Sequence, residues 1–338
     1  MGGVIAEFLV ILRVMEQMKK IQEFLAPELQ RLNAVIRETL HTPNRMMDSI
    51  VQHYLEKKGK QIRPILVILS ARMFGEAGAD VIQAGAALEM LHNASLIHDD
   101  IVDETALRRG VETINARMGN HIAVLVGDFF VSNALAAGIK TGDVRVVRAL
   151  SDLGKELSLG EIDQICNARE HTLEEVSYFG MIRQKTASLF MNCVRMGAEL
   201  GGAGEEDLRS LTRYAELLGL CFQIRDDIFD YFEDTEVGKP TGNDLREGKV
   251  TLPLLYALRV APEDESRPMR DLLLASELDR GEIERLIAFA HRHGGIEYAY
   301  ARMREMQDEA SRILTVFPDS EPKRAFAAIF DYIIERKF

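Results

Sequence analysis

Apolar residues recur three and four positions apart along nearly the whole of this 338-residue chain. That spacing places them on one face of an α-helix, and it is the strongest constraint on the fold. Over residues 81–106 the repeat runs through Val81, Ala84, Leu88, Leu91 and Ser95. Residues 121–139, 143–166, 172–200, 205–232, 281–293, 296–316 and 321–336 read the same way, with Gly and Pro punctuating between them. No stretch alternates as a half-buried strand, and no βαβ rhythm occurs. Long helices with short connections predict an all-α bundle. Several helices are apolar around most of their circumference, which suits a central layer enclosed by others. Without linker composition, repeats or low complexity, residues 1–338 are expected to form a single domain. Residues 1–25 are either an accessory helix docked on its surface or a mobile terminus.

Composition narrows the functional classes. The formal net charge is −12, which argues against nucleic-acid binding, since that needs a basic face to displace counterions. Cys166, Cys193 and Cys221 are far apart and odd in number, so neither a disulfide framework nor a zinc ribbon is expected, and a cytoplasmic setting fits. Residues 1–14 are apolar but carry Glu7 and Arg13, are too short to span a bilayer, and lack a secretory signal pattern. Ala6 stands where the myristoylation pattern wants Ser or Thr. No integral membrane segment is expected.

Two segments carry the chemistry: Leu96-Ile97-His98-Asp99-Asp100-Ile101-Val102-Asp103-Glu104 and Gln223-Ile224-Arg225-Asp226-Asp227-Ile228-Phe229-Asp230. Each holds DDxxD inside an apolar helical pattern. Asp99 and Asp103 share one helical face, as do Asp226 and Asp230, and like charges so placed destabilise an isolated helix. A bound cation is the natural compensation. Carboxylate oxygens without His or Cys suit a hard ion, and Mg²⁺ completes its shell with water and substrate phosphate. Two such clusters would hold a diphosphate through a group of Mg²⁺ ions, and metal bridging tolerates the negative net charge.

A metal–diphosphate site also needs cations. Arg108 and Arg109 follow the first motif, and Lys239 and Lys249 follow the second. Lys60 and Arg63 precede a buried-type helix, and Lys185-Thr186 opens a helical stretch. Arg forks suit phosphate oxygens, while Lys acts as a compact point charge. With the two acidic clusters they imply two anionic binding spots, one bound through metal and one through Arg, Lys and His.

On these residues the chain resembles the trans-type isoprenyl diphosphate synthases, or polyprenyl synthetases. The landmarks are GKQIRP at 59–64, LHNASLIHDDIVDETALRRG at 91–110, VGD at 126–128, KTA at 185–187 and QIRDDIFDYFEDTEVGKPTGNDLREGKVTLP at 223–253. One departure is Lys58, where the family often has the first Gly of GGKxxRP. The resemblance implies an isoprenoid synthase-type helical bundle around a deep central cavity, in a homodimer with peripheral membrane contact for product release. It implies that Asp99, Asp103, Asp226 and Asp230 hold Mg²⁺, three ions per site, on an allylic diphosphate. Arg108, Lys185, Lys239 and Lys249 would contact that diphosphate. Lys60, Arg63, His92 and Arg109 would bind isopentenyl diphosphate, and Thr186 and Gln223 would place oxygens near a developing carbocation. His92 fits, lying two helical turns before Asp99 on the same face; His98 is left structural.

The implied chemistry is electrophilic alkylation: the allylic C–O bond ionises, the double bond of isopentenyl diphosphate attacks, and a proton leaves. An apolar cavity shields the cation from water. A helix climbs about 5.4 Å per turn, near the length of an isoprene unit. Ala94 and Ser95, then Leu91 and Met90, should therefore line the tail's path. Short-chain members block this level with an aromatic residue; here nothing does, so a hexaprenyl to decaprenyl product is expected, with a floor on the helix at residues 129–137. The alternatives are a short-chain synthase, a class I terpene cyclase, a di-iron protein using Glu38/His41 and Glu89/His92, and a non-catalytic partner subunit.

Overall fold

A computed structural model describes residues 2–56, 59–108, 110–170, 172–232, 241–275 and 278–336. The chain runs through α1 (Gly2–Phe24), α2 (Ala26–Leu40), α3 (Arg45–Glu56), α4 (Ile62–Arg72) and α5 (Ala79–Val102). A two-stranded hairpin comes next, β1 (Leu107–Arg108) against β2 (Val111–Glu112), antiparallel with Leu107 opposite Glu112. After it stand α6 (Ile114–Met118), α7 (Asn120–Lys140), α8 (Val144–Glu170) and α9 (Glu175–Ile182). A π-helical turn at Arg183–Ala187 leads into α10 (Ser188–Leu200) and then α11 (Glu205–Phe229). The chain ends with α12 (Asn243–Arg246), α13 (Leu252–Val260), α14 (Glu263–Leu273), α15 (Arg280–Arg292), α16 (Gly295–Thr315) and α17 (Glu321–Glu335).

The expected all-α architecture is what forms, and apolar coverage decides which helices lie inside. In α4 every residue from Pro64 to Ala71 is buried, and α5 buries residues on all its sides. A helix apolar all round has no face to offer water, so others must enclose it. Around α5 pack α2, α4, α7 and α10, while α10 also touches α11, and α11 backs onto α16 and α17. Phe130, Phe190, Tyr214, Phe326 and Tyr332 are the bulkiest wholly buried side chains of this core, and the Tyr214 hydroxyl donates to the Phe326 carbonyl at 2.7 Å. Helix α1 packs on α17, burying Val14, Met18 and Ile21.

Three features depart from the periodicity. The helix expected over 81–106 stops at Val102, with Asp103 as its cap. The stretch 172–200 is interrupted by the π turn, where the Ser188 N–H reaches back to the Arg183 carbonyl. One inserted residue barely disturbs an apolar repeat, so the pattern cannot reveal it; π turns of this kind concentrate at functional sites. The hairpin is too short to show alternation.

Among the described residues, α7 is the helix long and apolar enough to cross a membrane by length and composition. It lies along α5 through buried Ala123, Val126, Phe130 and Ala134, and leaves Val124, Leu125 and Ile139 exposed.

The crossing of α4 and α10 depends on a missing side chain. A Cβ on Gly197 of α10 would overlap the Val67 carbonyl oxygen on α4. Gly197→Ala is therefore expected to lower stability by about 1–3 kcal/mol through overpacking. Urea denaturation measures it; an unchanged midpoint would show that α4 and α10 can separate freely.

Candidate active site

The first acidic cluster forms because α5 ends where its apolar run ends. Asp99 and Asp100 occupy the last turn, and the Asp103 N–H closes it on the Asp99 carbonyl at 2.8 Å. Their environments differ. Asp100 is buried and accepts from Arg108 through Nε at 2.8 Å and Nη2 at 2.7 Å. Its carbonyl takes the Asn115 amide at 3.0 Å, so Asp100 ties the hairpin and α6 to the end of α5. Asp99 lies near Lys185, Glu161 and Asp103, and burial pushes its carboxyl up to about 6 despite the pull of Lys185. Asp103 faces the Lys249 ammonium at 3.5 Å.

The second cluster ends α11. Asp230 caps that helix and anchors the 242–244 backbone: its carboxylate accepts from the Asn243 and Asp244 N–H groups, both at 3.0 Å, and its carbonyl from Gly242 at 3.0 Å. Asp226 forms an ion pair with Arg336. Asp227, not singled out by the sequence, points inward. It accepts from the Tyr178 hydroxyl at 2.6 Å and from the Gln223 amide at 2.7 Å. Burial drives Asp227 up to about 7 even though both bonds pull the other way. Asp244 is half-buried, and its carboxyl is raised by desolvation and by the Asp227 and Asp230 charges.

The π turn brings Lys185 and Thr186 to the same place. Gly160 of α8 and Gly219 of α11 make room for it: a Cβ would meet the Lys185 nitrogen at 2.7 Å or the Ala187 Cα at 2.5 Å. The Thr186 hydroxyl donates to the Gln223 carbonyl oxygen at 2.7 Å. Lys185 pairs with Glu161 and donates to Gln164 at 3.0 Å. Lys249 pairs with Glu247; burial would lower its pKa, but the Glu247 and Asp103 carboxylates outweigh it and raise it.

Two cavities divide these groups. The larger, about 1020 Å³, is lined by Lys60, Arg63, His92, Arg108, Phe222 and Arg336 among others. Two of its cations rest on rings: Lys60 Nζ lies 4.9 Å from the Tyr332 centroid, and the Arg63 guanidinium 5.3 Å from that of Phe190. The smaller, about 160 Å³, is lined by Tyr178, Lys185, Thr186, Gln223, Asp227 and Lys249 among others. Arg108 lines the larger cavity and also acts, with Lys185, on the Asp99 carboxyl. Arg109 and Lys239 lie outside the described residues.

Ala94 and Leu91 are buried, and Ser95 is half-buried with its hydroxyl on the His92 carbonyl at 2.9 Å. None of the three lines either cavity. His98 sits over Gly127, its Nε2 3.4 Å from the Val124 carbonyl. His41 is an exposed helix cap bonded to Asp48, which removes the di-iron arrangement.

Among the described residues no three carboxylate, imidazole or thiolate groups converge closely enough to cage an ion by themselves. The donor set still fits a hard cation: carboxylates at the ends of two helices, with no imidazole or thiolate among them. Such an ion would take its remaining ligands from water and a bound diphosphate.

The sequence missed Glu161, Gln164, Tyr178 and Asp227. Inward-facing polar residues on apolar helices were their available signal, as for Gln164, only 9% exposed. Arg336 is a further such residue. Arg225, itself buried, donates to the Arg336 carbonyl at 3.1 and 2.6 Å and so fixes the chain end beside Asp226.

The family model for polyprenyl synthetases matches residues 44–289. The chain is 32% identical over 320 residues to octaprenyl diphosphate synthase of Haemophilus influenzae, covering 94% of this chain and 97% of that protein. The solved decaprenyl diphosphate synthase of Rhodobacter capsulatus superposes with a TM-score of 0.88 at 32% identity, covering 94% of this chain and 98% of that one. Geranylgeranyl pyrophosphate synthase of Bacteroides thetaiotaomicron gives 0.82 at 35% identity, covering 95% and 100%. The chain belongs to the polyprenyl synthetase family.

The two neighbouring aspartates should respond differently to loss of charge. Asp100→Asn removes a buried, charge-assisted anchor and is expected to cost about 1–3 kcal/mol of stability. Asp103→Asn, more exposed, should change stability by less than about 0.5 kcal/mol. Denaturation curves of the two variants decide this, and the opposite order would contradict the division of roles.

Proposed function

We propose that the protein is a trans-prenyltransferase that condenses isopentenyl diphosphate with an allylic diphosphate to give a long-chain all-trans polyprenyl diphosphate. The observation that carries this reading is that Asp99 and Asp103 lie beside Lys185 and Lys249, which share one cavity with Asp227 of the second motif, while a larger cavity gathers Lys60, Arg63, His92, Arg108 and Arg336, with Glu56, Glu89, Asp100 and Glu112 also on its wall. One pocket suits a diphosphate bound through metal, and the other a diphosphate bound by Lys60, Arg63 and His92. A class I terpene cyclase has no use for the second pocket.

In this reading Asp99, Asp103 and Asp226, with Asp230, hold Mg²⁺, and Asp230 also orders the 242–244 backbone. Bound Mg²⁺ would neutralise charge on the leaving diphosphate. Lys185 and Lys249, with Lys239, add fixed positive charge there. Thr186, its hydroxyl proton held by the Gln223 carbonyl, turns its oxygen toward the carbon that becomes cationic. Lys60, Arg63 and His92, with Arg108 and Arg109, orient the second diphosphate. The surrounding apolar helices limit water.

Three further proposals concern assembly, setting and product. Val124, Leu125 and Ile139 on α7, with Leu159 and Ile162 on α8, are exposed apolar side chains; we read them as the face on which two copies pair. The free thiols support a reducing cytoplasmic setting. We assign product length to Ala94, Ser95 and Leu91 by their place one and two turns before Asp99 on α5, where small side chains at the first two positions oppose a short product.

Incubation with isopentenyl diphosphate, farnesyl diphosphate and Mg²⁺, followed by chromatography, tests the assignment. Chains beyond C25 are expected, and folded protein that elongates nothing would overturn it. Asp99→Asn should lower the rate at least about 100-fold, in line with loss of one charge-stabilising group; a rate within about 3-fold of wild type would remove Asp99 from the metal site. Ala94→Phe should shorten the product by several isoprene units, and an unchanged chain length would place the tail elsewhere.

A further inference from the structure

Four side chains form one hydrogen-bonded chain along the wall of the smaller cavity. The Tyr178 hydroxyl donates to Asp227 Oδ2 at 2.6 Å. Gln223 Nε2 donates to Asp227 Oδ1 at 2.7 Å. The Thr186 hydroxyl donates to Gln223 Oε1 at 2.7 Å. All four line that cavity. Tyr178 and Asp227 are buried, while Thr186 and Gln223 are half-buried.

The direction of this chain is set by the donors available. Gln223 has one donor group, its NH₂, and one acceptor, its carbonyl. With Asp227 accepting, the NH₂ must face it, so the carbonyl faces Thr186. The Thr186 hydroxyl has a single proton, which that carbonyl then takes. Its lone pairs are left as the outward face of the group. An electron-poor carbon is stabilised by lone pairs and not by an O–H pointing at it. Were the Gln223 amide reversed, its NH₂ would donate to Thr186, and the hydroxyl proton would be released toward the ligand.

We propose that Tyr178 and Asp227 are positioning residues that lock the Gln223 amide and thereby turn the Thr186 oxygen, lone pairs outward, toward the developing allylic cation. The proposal rests on the prenyltransferase reading. It adds that a residue on α9, remote in sequence from both aspartate motifs, sets the polarity of the catalytic wall. Asp227 has a different task from its neighbour Asp226: it accepts Tyr178 and Gln223, the latter one turn earlier on α11. Tyr178 holds the carboxyl plane from the opposite side, so Asp227 cannot rotate away from Gln223.

Tyr178→Phe keeps the ring and its edge-on contact with Phe179 and removes only the hydroxyl. With wild-type enzyme, isopentenyl diphosphate, farnesyl diphosphate and Mg²⁺ as reference, kcat is expected to fall about 10-fold. KM for both substrates and the Mg²⁺ concentration giving half-maximal rate should stay within 2-fold. In a Gln223→Leu background the same change should have no further effect, because the chain is already cut. Asp227→Asn, which offers Gln223 a donor, is expected to be more damaging than Tyr178→Phe. It also serves as the second variant if thermal melting shows Tyr178→Phe to be unfolded. Unchanged kcat in the folded variant, an undiminished effect in the Gln223→Leu background, or a change confined to the Mg²⁺ requirement would overturn the proposal. An inactive wild type would instead count against the prenyltransferase assignment, so the two failures are distinguishable.

Discussion

Carboxylates gathered at the ends of two largely buried helices are the constraint on which the rest of this structure depends. Burial pushes Asp99 up to about 6 and Asp227 up to about 7, and it raises Asp230 and Asp244 as well. Packing forces would not gather such groups unaided, since desolvating them works against folding. The surroundings supply the compensation. Arg108 neutralises Asp100, Arg336 pairs with Asp226, and Lys249 faces Asp103. Backbone N–H groups take up Asp230. The site is an array of ion pairs at the edge of an apolar core.

That arrangement explains why the acidic net charge and a polyanionic substrate are compatible. Net charge describes the surface as a whole, and the field within a cleft is set by the groups that line it. The larger cavity presents Lys60, Arg63 and Arg336 over aromatic rings, with Arg108 paired to Asp100 and three glutamates also on its wall, whereas the smaller one mixes Lys185 and Lys249 with Asp227 and Asp244. Under the proposed function the first recognises a diphosphate directly, and the second does so only with metal.

Much of the fold and site is legible in the sequence because it depends on spacing within one helix. The repeat through 81–106 marks α5, and DDxxD at its end needs only the 3.6-residue period to be placed on one face. Orientation across helices is not legible in this way. Asp99 and Asp100 are adjacent and chemically identical, yet one anchors the hairpin and the other faces Lys185: Asp100 holds Arg108, and Asp99 lies toward the ammonium. The resemblance groups Arg108 with Lys185 and Lys249, and only the structure shows that the hairpin ties it to Asp100 on the wall of the larger cavity while it still acts on Asp99. The π turn escapes because residues 183–187 keep an ordinary helical pattern while shifting Lys185 and Thr186 against Gly160 and Gly219. Tyr178 carries no local motif; its partner lies 49 residues away.

The central claim is that the two pockets recognise diphosphates by different means. Isothermal titration of the wild-type protein tests it directly, using isopentenyl diphosphate and a non-ionising thio analogue of farnesyl diphosphate, each with Mg²⁺ and with EDTA. Isopentenyl diphosphate is expected to bind with or without Mg²⁺, and the allylic analogue only with it. Equal dependence of both ligands on Mg²⁺, or of neither, would contradict the claim.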